Sequence, residues 1–288
     1  MPIVLDHISY TYQPDTPFAA PALHDVSLTI KSGQFVGIIG HTGSGKSTLI
    51  QHCNGLLFAS EGSATVDGMP ILPKSKDLKE IRRKVGLVFQ YPEHQLFEET
   101  VAQDVAFGPK SLGLTAAETE SRVRWAMNMV DMDYDKFHDA SPFGLSGGEK
   151  RRAAIAGVLA MQPKYLILDE PFAGLDPNGR EEIIGQLLRL NEKGLAIVLV
   201  SHSMDEIARL AKRLVVIHEG AIVYDDTVKQ VFGKAAELAA MGLDVPEVMK
   251  LMMLLKEKGL AVGQDTLTIE EGQEEILKVL TNNTTRHT

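Results

Sequence analysis

The sequence predicts an α/β fold. A mainly parallel sheet is covered by helices on both faces, with an inserted α-helical subdomain, an N-terminal antiparallel β subdomain and a small helical C-terminal appendage. Three observations predict it. Short, almost fully apolar runs recur at residues 35–39, 165–168, 196–200 and 214–217, and such runs suit strands buried on both faces. Stretches with helical spacing separate them, among them 179–193 and 204–211, and repeated β–α alternation indicates a parallel sheet. From Pro92 to about Met161 helical periodicity takes over, which places a helical insertion between two sheet strands.

In chain order, residues 3–12 alternate as a strand does, 26–30 continue the pattern, and Lys31-Ser32-Gly33-Gln34 reads as a turn. The apolar run 35–39 ends at Gly40, and a helix is expected from Lys46. Residues 61–66 and 86–89 read as further strands. Within the insertion, Gly108-Pro109 and Leu112-Gly113 read as breaks, and residues 220–225 as a returning hairpin strand. Beyond about Gly233 the pattern changes. Val245, Val248, Leu251, Met252 and Leu255 fall on one helical face behind Pro246, a second helix is expected over 269–280, and the polar residues 282–288 are expected to fray.

The chain has 288 residues, 44% of them hydrophobic and 23% charged, a globular composition with room for one large domain and an appendage. The longest apolar runs are strand-sized, against about twenty residues for a membrane-spanning helix, and the N-terminus lacks the basic-then-apolar pattern of a signal peptide. A net charge of −9 argues against a nucleic-acid partner, which needs a concentrated basic face. The single cysteine, Cys53, suits a reducing compartment and is expected to be a buried structural thiol.

Gly40-His41-Thr42-Gly43-Ser44-Gly45-Lys46-Ser47 matches the phosphate-loop pattern GxxxxGK[ST], in register between an apolar strand and a helix. Its glycines let backbone N–H groups surround a phosphate, and the following helix N-terminus adds partial positive charge. Lys46 is placed to reach the β- and γ-phosphates of ATP, the Ser47 hydroxyl to ligate Mg²⁺, and Thr48 next along is counted with the loop. The run Leu166-Ile167-Leu168-Asp169-Glu170 is an apolar strand ending in carboxylates. Strand ends of such sheets face the ligand crevice. Asp169 is the candidate Mg²⁺ holder, and Glu170 the candidate for orienting and polarising the attacking water.

Leu145-Ser146-Gly147-Gly148-Glu149 reads as a capping box opening a helix at Lys150, with an accessible glycine backbone that makes an anion site. A helix in the inserted subdomain does not easily serve its own phosphate loop, which favours a role in trans for Ser146, Gly147 and Gly148. A carboxylate near a phosphate is costly, so Glu149 is expected to turn back and cap. With this motif the chain resembles the ATP-binding-cassette (ABC) family, whose signature reads LSGGQ. Glu149 departs from the commoner Gln. The resemblance implies that the signature contacts the γ-phosphate bound to the opposite subunit. It implies that Gln90 is the glutamine that ligates Mg²⁺ and approaches the attacking water, and that Gly174-Leu175-Asp176 crosses the dimer interface. It further implies that His202 hydrogen-bonds the γ-phosphate and that Tyr12 stacks on adenine, with Tyr10 the alternative. It covers the chain to about Gly233. The implied division is an ABC ATPase domain over residues 1–233, with a helical subdomain at about 92–163, and a helical appendage over 234–288.

Phe89-Gln90-Tyr91-Pro92-Glu93-His94-Gln95-Leu96-Phe97 and Asp104-Val105-Ala106-Phe107-Gly108-Pro109 are similar to the ATPases of energy-coupling factor (ECF) transporters, which take up vitamins and transition-metal ions. The phosphate-loop and signature stretches are similar to the second ATPase type of that module. The resemblance implies an ATPase acting at the cytoplasmic face of the cell membrane, paired as a heterodimer with a related ABC ATPase. It implies docking on a transmembrane scaffold subunit and a substrate-binding membrane subunit, with the appendage holding the two ATPases together. Leu96, Phe97, Val101, Val105 and Phe107 are candidate apolar anchors for a partner helix, or else subdomain core. A conventional ABC importer or exporter subunit, and a soluble cassette protein acting on ribosomes or DNA, are the other classes weighed. The stretch 92–97, the single phosphate loop and the short interval between motifs argue against them.

Overall fold

The computed structural model describes residues 2–263 and 265–284. Its strands are β1 (Ile3–Tyr12), β2 (Ala20–Ile30), β3 (Phe35–Ile39), β4 (Glu61–Val66), β5 (Met69–Pro70), β6 (Val85–Val88), β7 (Tyr165–Asp169), β8 (Ala196–Val200), β9 (Arg213–His218) and β10 (Ala221–Thr227). They form a 4-stranded sheet in the order β2-β1-β4-β5 and a 6-stranded sheet in the order β10-β9-β3-β8-β7-β6. The pairs β6–β7, β7–β8, β8–β3 and β3–β9 are parallel, and β10 returns antiparallel on β9. The smaller sheet is antiparallel throughout.

Side chains of the central strands alternate between two cores. Ile39, Leu166, Leu168, Ile197, Leu199, Leu214 and Val216 face a cluster shared with the helices of the insertion. Val36, Ile38, Tyr165, Ile167, Val198, Val200 and Val215 face a second cluster shared with the antiparallel sheet. A strand with both faces covered has no polar position to alternate with, which is why these segments stand out in the sequence. Cys53 lies in the second cluster, and burial pushes its thiol up to about 12, the inert structural cysteine expected.

Residues 92–163 contain the helices Val101–Ser111, Ala116–Met129, Tyr134–Phe137 and Gly147–Leu159. Gly108-Pro109 is not a break but lies inside Val101–Ser111. Pro109 falls in the last turn, so the bond its missing N–H forfeits, to the Val105 carbonyl, is among the last of the helix and few residues follow it. Gly108 is needed for close packing, since a Cβ there would sit 2.7 Å from Met161 Cγ. Leu112-Gly113 does end the helix, with Gly113 at φ +85. The short strand Met69–Pro70 and the polar helix Leu78–Lys84 were not foreseen, and β2 begins at Ala20, not Val26.

Toward the C-terminus, Leu238, Leu243, Val245 and Met249 pack into the first cluster, while Val248, Met252 and Val262 start a separate one. The helices Glu247–Glu257 and Ile269–Thr284 meet there. Leu251, placed by periodicity on the inner face, is exposed, and Met249 is buried in its stead. Residues 285–288 of the expected frayed tail lie outside the described residues, and the backbone of 282–284 is helical. Among the described residues no helix is long and apolar enough to cross a membrane.

Candidate nucleotide site

Because β9, β3, β8, β7 and β6 run parallel side by side, their carboxyl ends open along one edge. Leaving that edge are the loop from Gly40, the turn to His202, the Asp169-Glu170 pair and Gln90. They line one cleft of about 550 Å³ together with His41, Thr42, Gly43, Lys46 and Ser47. Carboxyl ends of neighbouring parallel strands are where such sheets hold ligands.

The phosphate loop is shaped by its neighbours. Gly45 caps the helix Lys46–Cys53 at φ 105, and a Cβ there would meet the Ala22 carbonyl at 2.6 Å, so only glycine fits. Lys46 Nζ donates to the carbonyls of Gly40 at 2.7 Å and His41 at 2.9 Å. Ser47 Oγ donates to Asp169 Oδ2 at 3.1 Å, so hydroxyl and carboxylate converge on one point. Burial pushes the Lys46 ammonium down from its ordinary value, opposed by Glu170 and Asp169. Burial likewise pushes the Asp169 carboxyl up, opposed by Ser47 and Lys46. A polyphosphate would supply an anion that favours the Lys46 ammonium, and a divalent cation a charge that favours the Asp169 carboxylate. No cluster of three or more His, Cys, Asp or Glu occurs among the described residues. One carboxylate with a hydroxyl, an amide and phosphate oxygens is the donor set Mg²⁺ takes at nucleotide sites.

Glu170 stands just past β7 with φ 49, a left-handed conformation uncommon for a residue with a Cβ. Its N–H donates to the Val200 carbonyl at 2.9 Å, and its Oε2 lies 2.7 Å from His202 Nδ1. The Glu170 side chain is 13% exposed and that of His202 76%. The histidine is thus an exposed neighbour of an enclosed carboxylate.

The other predicted residues do not line the cleft. Ser44, Gly45 and Thr48 support the loop without lining the cleft. Thr48 is buried, its hydroxyl 3.1 Å from that of Tyr12. Tyr12 is 38% exposed, while Tyr10 is enclosed between Tyr12 and His52 by edge contacts at 4.9 and 5.0 Å. Of the two, Tyr12 has the more exposed ring, and neither tyrosine is in the cleft lining. Ser146, Gly147, Gly148 and Asp176 do not line this cleft. Ser146 and Asp176 are exposed helix caps, and Asp176 Oδ1 accepts from the Gly179 N–H at 2.7 Å.

Glu149 turns back as expected. Its Oε2 accepts from the Ser146 N–H at 2.9 Å and from Ser146 Oγ at 2.8 Å, while its own N–H donates to Ser146 Oγ at 3.3 Å. The bonds from Ser146 hold the Glu149 carboxyl below its ordinary value. The stability it adds is present above the ordinary carboxylate range and is lost as pH falls through the depressed value. Glu149→Gln keeps a capping side chain, so turnover should stay within about threefold of the parent. Glu149→Ala should cost about 0.5–1 kcal/mol in urea melts. Loss of turnover in the Gln variant would contradict the capping role.

The anchor residues separate as well. Val101 and Val105 are fully buried in the subdomain core and are unavailable to a partner. Leu96 is half-buried against that core. Phe97 and Phe107 are 58% and 52% exposed and form an edge-to-face pair at 5.1 Å. Buried Asp104 fixes the loop beneath them, accepting from the N–H groups of Phe97 and Glu98 at 3.2 and 3.3 Å. Sequence reasoning missed Met204, Gly242, Leu243 and Asp244, which complete the lining of the cleft. The last three come from the C-terminal region.

Residues 23–173 match the ABC transporter family. The "Energy-coupling factor transporter ATP-binding protein EcfA2" of Clostridium tetani is 51% identical over 286 residues, covering 99% of each chain. Its namesake in Clostridioides difficile is 52% identical over 282 residues, covering 97% of this chain and 98% of that one. Among solved structures, cbiO1 from Clostridium perfringens, part of the ABC transporter complex cbiONQ, superimposes with TM-score 0.74. It is 34% identical and covers 89% of this chain and 96% of that one. A dimeric ATP-binding cassette in a post-hydrolysis state, bound to ADP and Pi, superimposes with TM-score 0.70 at 29% identity, covering 78% of this chain and 98% of that one. With its phosphate loop, strand-end carboxylates and capped signature helix in one α/β framework, the chain belongs to the ATP-binding proteins of energy-coupling factor transporters within the ABC transporter family.

Proposed function

We propose that this chain is the ATP-hydrolysing subunit of an energy-coupling factor transporter, powering uptake of a vitamin or transition-metal ion at the cytoplasmic face of the membrane. The observation that carries the reading is a division of labour. Lys46, Ser47, Gln90, Asp169, Glu170 and His202 meet in one cleft, whereas Ser146, Gly147, Gly148 and Asp176 stand outside it. Half of an ATP site is complete and the other half is offered elsewhere.

In this reading the 40–47 loop and Lys46 bind the phosphates, and Tyr12 stacks on the base. Ser47, Gln90 and Asp169 hold Mg²⁺, which neutralises charge on the phosphate oxygens. Glu170 orients the attacking water and takes its proton. His202, already beside Glu170, reaches the γ-phosphate. The Ser146–Gly148 backbone and Asp176 belong to the ATP site of a second, related ATPase. Exposed Phe97 and Phe107 face a transmembrane scaffold, which in turn carries a substrate-binding membrane subunit. The appendage exposes Leu251, Ile269 and Leu277 along an apolar groove. The partner ATPase covers it.

Mild extraction of the tagged chain from membranes tests this. A second, different ABC ATPase and a polytopic membrane protein should copurify in fixed ratio. Recovery as a soluble homodimer, or on ribosomes, would overturn the reading.

A further inference from the structure

Arg151 is one of the largest fully buried side chains in the molecule. It sits one turn into the helix Gly147–Leu159, just behind the Ser146 cap. Its guanidinium makes a forked contact with Glu93, Nη2 to Oε1 at 3.0 Å and to Oε2 at 3.1 Å, with Nε to Oε2 at 3.3 Å. Its other arm, Nη1, donates to the carbonyls of Pro171 at 2.8 Å and Ala173 at 2.6 Å. The side chains of Arg151 and Glu93 are 2% and 18% exposed.

These bonds join three separate parts of the machine. Glu93 lies in the 3₁₀ turn Pro92–Gln95, which follows Gln90 and leads to the exposed Phe97. The helix that carries Arg151 presents Ser146. Pro171 and Ala173 stand one and three residues past Glu170, whose backbone is held at φ 49. A planar five-donor fork suits this task, because it satisfies a carboxylate on one edge and carbonyls on the other without rotating. Burial makes each arm matter, because a guanidinium out of water is costly unless it is paired; a glutamine at 93 would still offer an acceptor oxygen to its arm.

We propose that Arg151 is a positioning residue for hydrolysis and, through Glu93, the link that ties Glu170 to the membrane-facing turn. This rests on the ECF reading and deepens it. Arg151 touches no reacting atom. It fixes the carbonyls that fix Glu170, and a shift of the Pro92–Gln95 turn is felt there through the fork. Its hydrogen bonds run to Glu93, Pro171 and Ala173 and not to Lys46 or its loop, so nucleotide affinity lies outside its reach.

The test measures steady-state ATPase in the isolated ATPase pair and in the purified membrane complex. Arg151→Lys keeps the charge but cannot serve carboxylate and both carbonyls together. Its kcat should fall about tenfold in both settings, with KM for ATP within about threefold, the pattern of a lost transition-state placement. Glu93→Gln leaves the arm to Pro171 and Ala173 in place. Its rate in the isolated pair should stay within about twofold of the parent, while the rate difference between complex and isolated pair should shrink at least about fivefold, as expected for a loosened charge-assisted fork. If Arg151→Lys fails to fold, Glu93→Gln alone decides. Parent-like coupling in Glu93→Gln, or an equal loss in both settings, overturns the proposal and leaves the ECF reading standing. A parent chain that recovers no membrane partner overturns both.

Discussion

Glu170→Gln should bind ATP as tightly as the parent, within about threefold, and hydrolyse it about 10²–10⁴-fold more slowly, the range by which a positioned general base accelerates a reaction. In barrier terms this is about 3–5 kcal/mol, at 1.36 kcal/mol per decade. The substitution isolates proton transfer from shape. An amide occupies the same volume beside His202 Nδ1, so the 2.7 Å contact can persist, and the bond from the Glu170 N–H to Val200 is untouched. The phosphate loop, Lys46 and Ser47 lie on other elements. What the variant loses is the carboxylate that follows Asp169 at the mouth of β7; Asp169 itself is already engaged with Ser47. Equilibrium binding of a fluorescent ATP analogue, measured beside phosphate release, separates the two effects. With binding kept and hydrolysis lost, the variant should accumulate an ATP-bound pair that elutes as a dimer in gel filtration. Turnover within a few-fold of the parent would remove Glu170 from the role of base.

Much of this was legible in the sequence, for identifiable reasons. The central strands are apolar on both faces because two cores sandwich them, so each announces itself in five residues. The phosphate loop was legible because Gly45 must adopt φ 105 against Ala22, a demand only glycine meets. Glu149 could be assigned as a cap because a carboxylate three residues past a serine has a local partner. The helix Leu78–Lys84 was not legible. It has one buried residue, Ile81, and its two apolar positions, Leu78 and Ile81, are too few to give a period to detect. Gly242–Asp244 reach the cleft from a turn with no periodic signal, and only packing of Leu243 into the main core brings them there. Arg151 was hidden for a different reason. Its partner Glu93 lies 58 residues away, and within Lys150-Arg151-Arg152 nothing local distinguishes the buried arginine from its half-buried neighbours. Long-range polar contacts leave no trace in spacing.

The second large effect concerns glycines whose own fold does not need them. Gly147 and Gly148 occupy the first turn of a regular helix, and a Cβ built on either would meet nothing within 4 Å. Nothing among the described residues therefore requires glycine at 148. On intrinsic preference the position should favour any other residue, since glycine in a helix is about 0.5–1 kcal/mol worse than alanine. Asp in the first turn gains further from the helix dipole, about 0.3–1 kcal/mol at an exposed site. Gly148→Asp should then fold at least as stably as the parent, with an unchanged or raised urea midpoint. It should bind ATP in the isolated chain with parent affinity, because the cleft of Lys46 and Ser47 does not include it. Yet the assembled ATPase pair should lose about 10²–10³-fold in turnover, the cost of removing a donor site aimed at developing phosphate charge, and ATP should no longer drive closure of the pair. Stability and activity move in opposite directions, which a folding defect cannot produce. If Gly148→Asp weakens ATP binding to the isolated chain, the signature helix serves its own phosphate loop and the division into two half-sites fails. If turnover survives, the open space above Gly147 and Gly148 is only solvent, and the partner's nucleotide is held by something else.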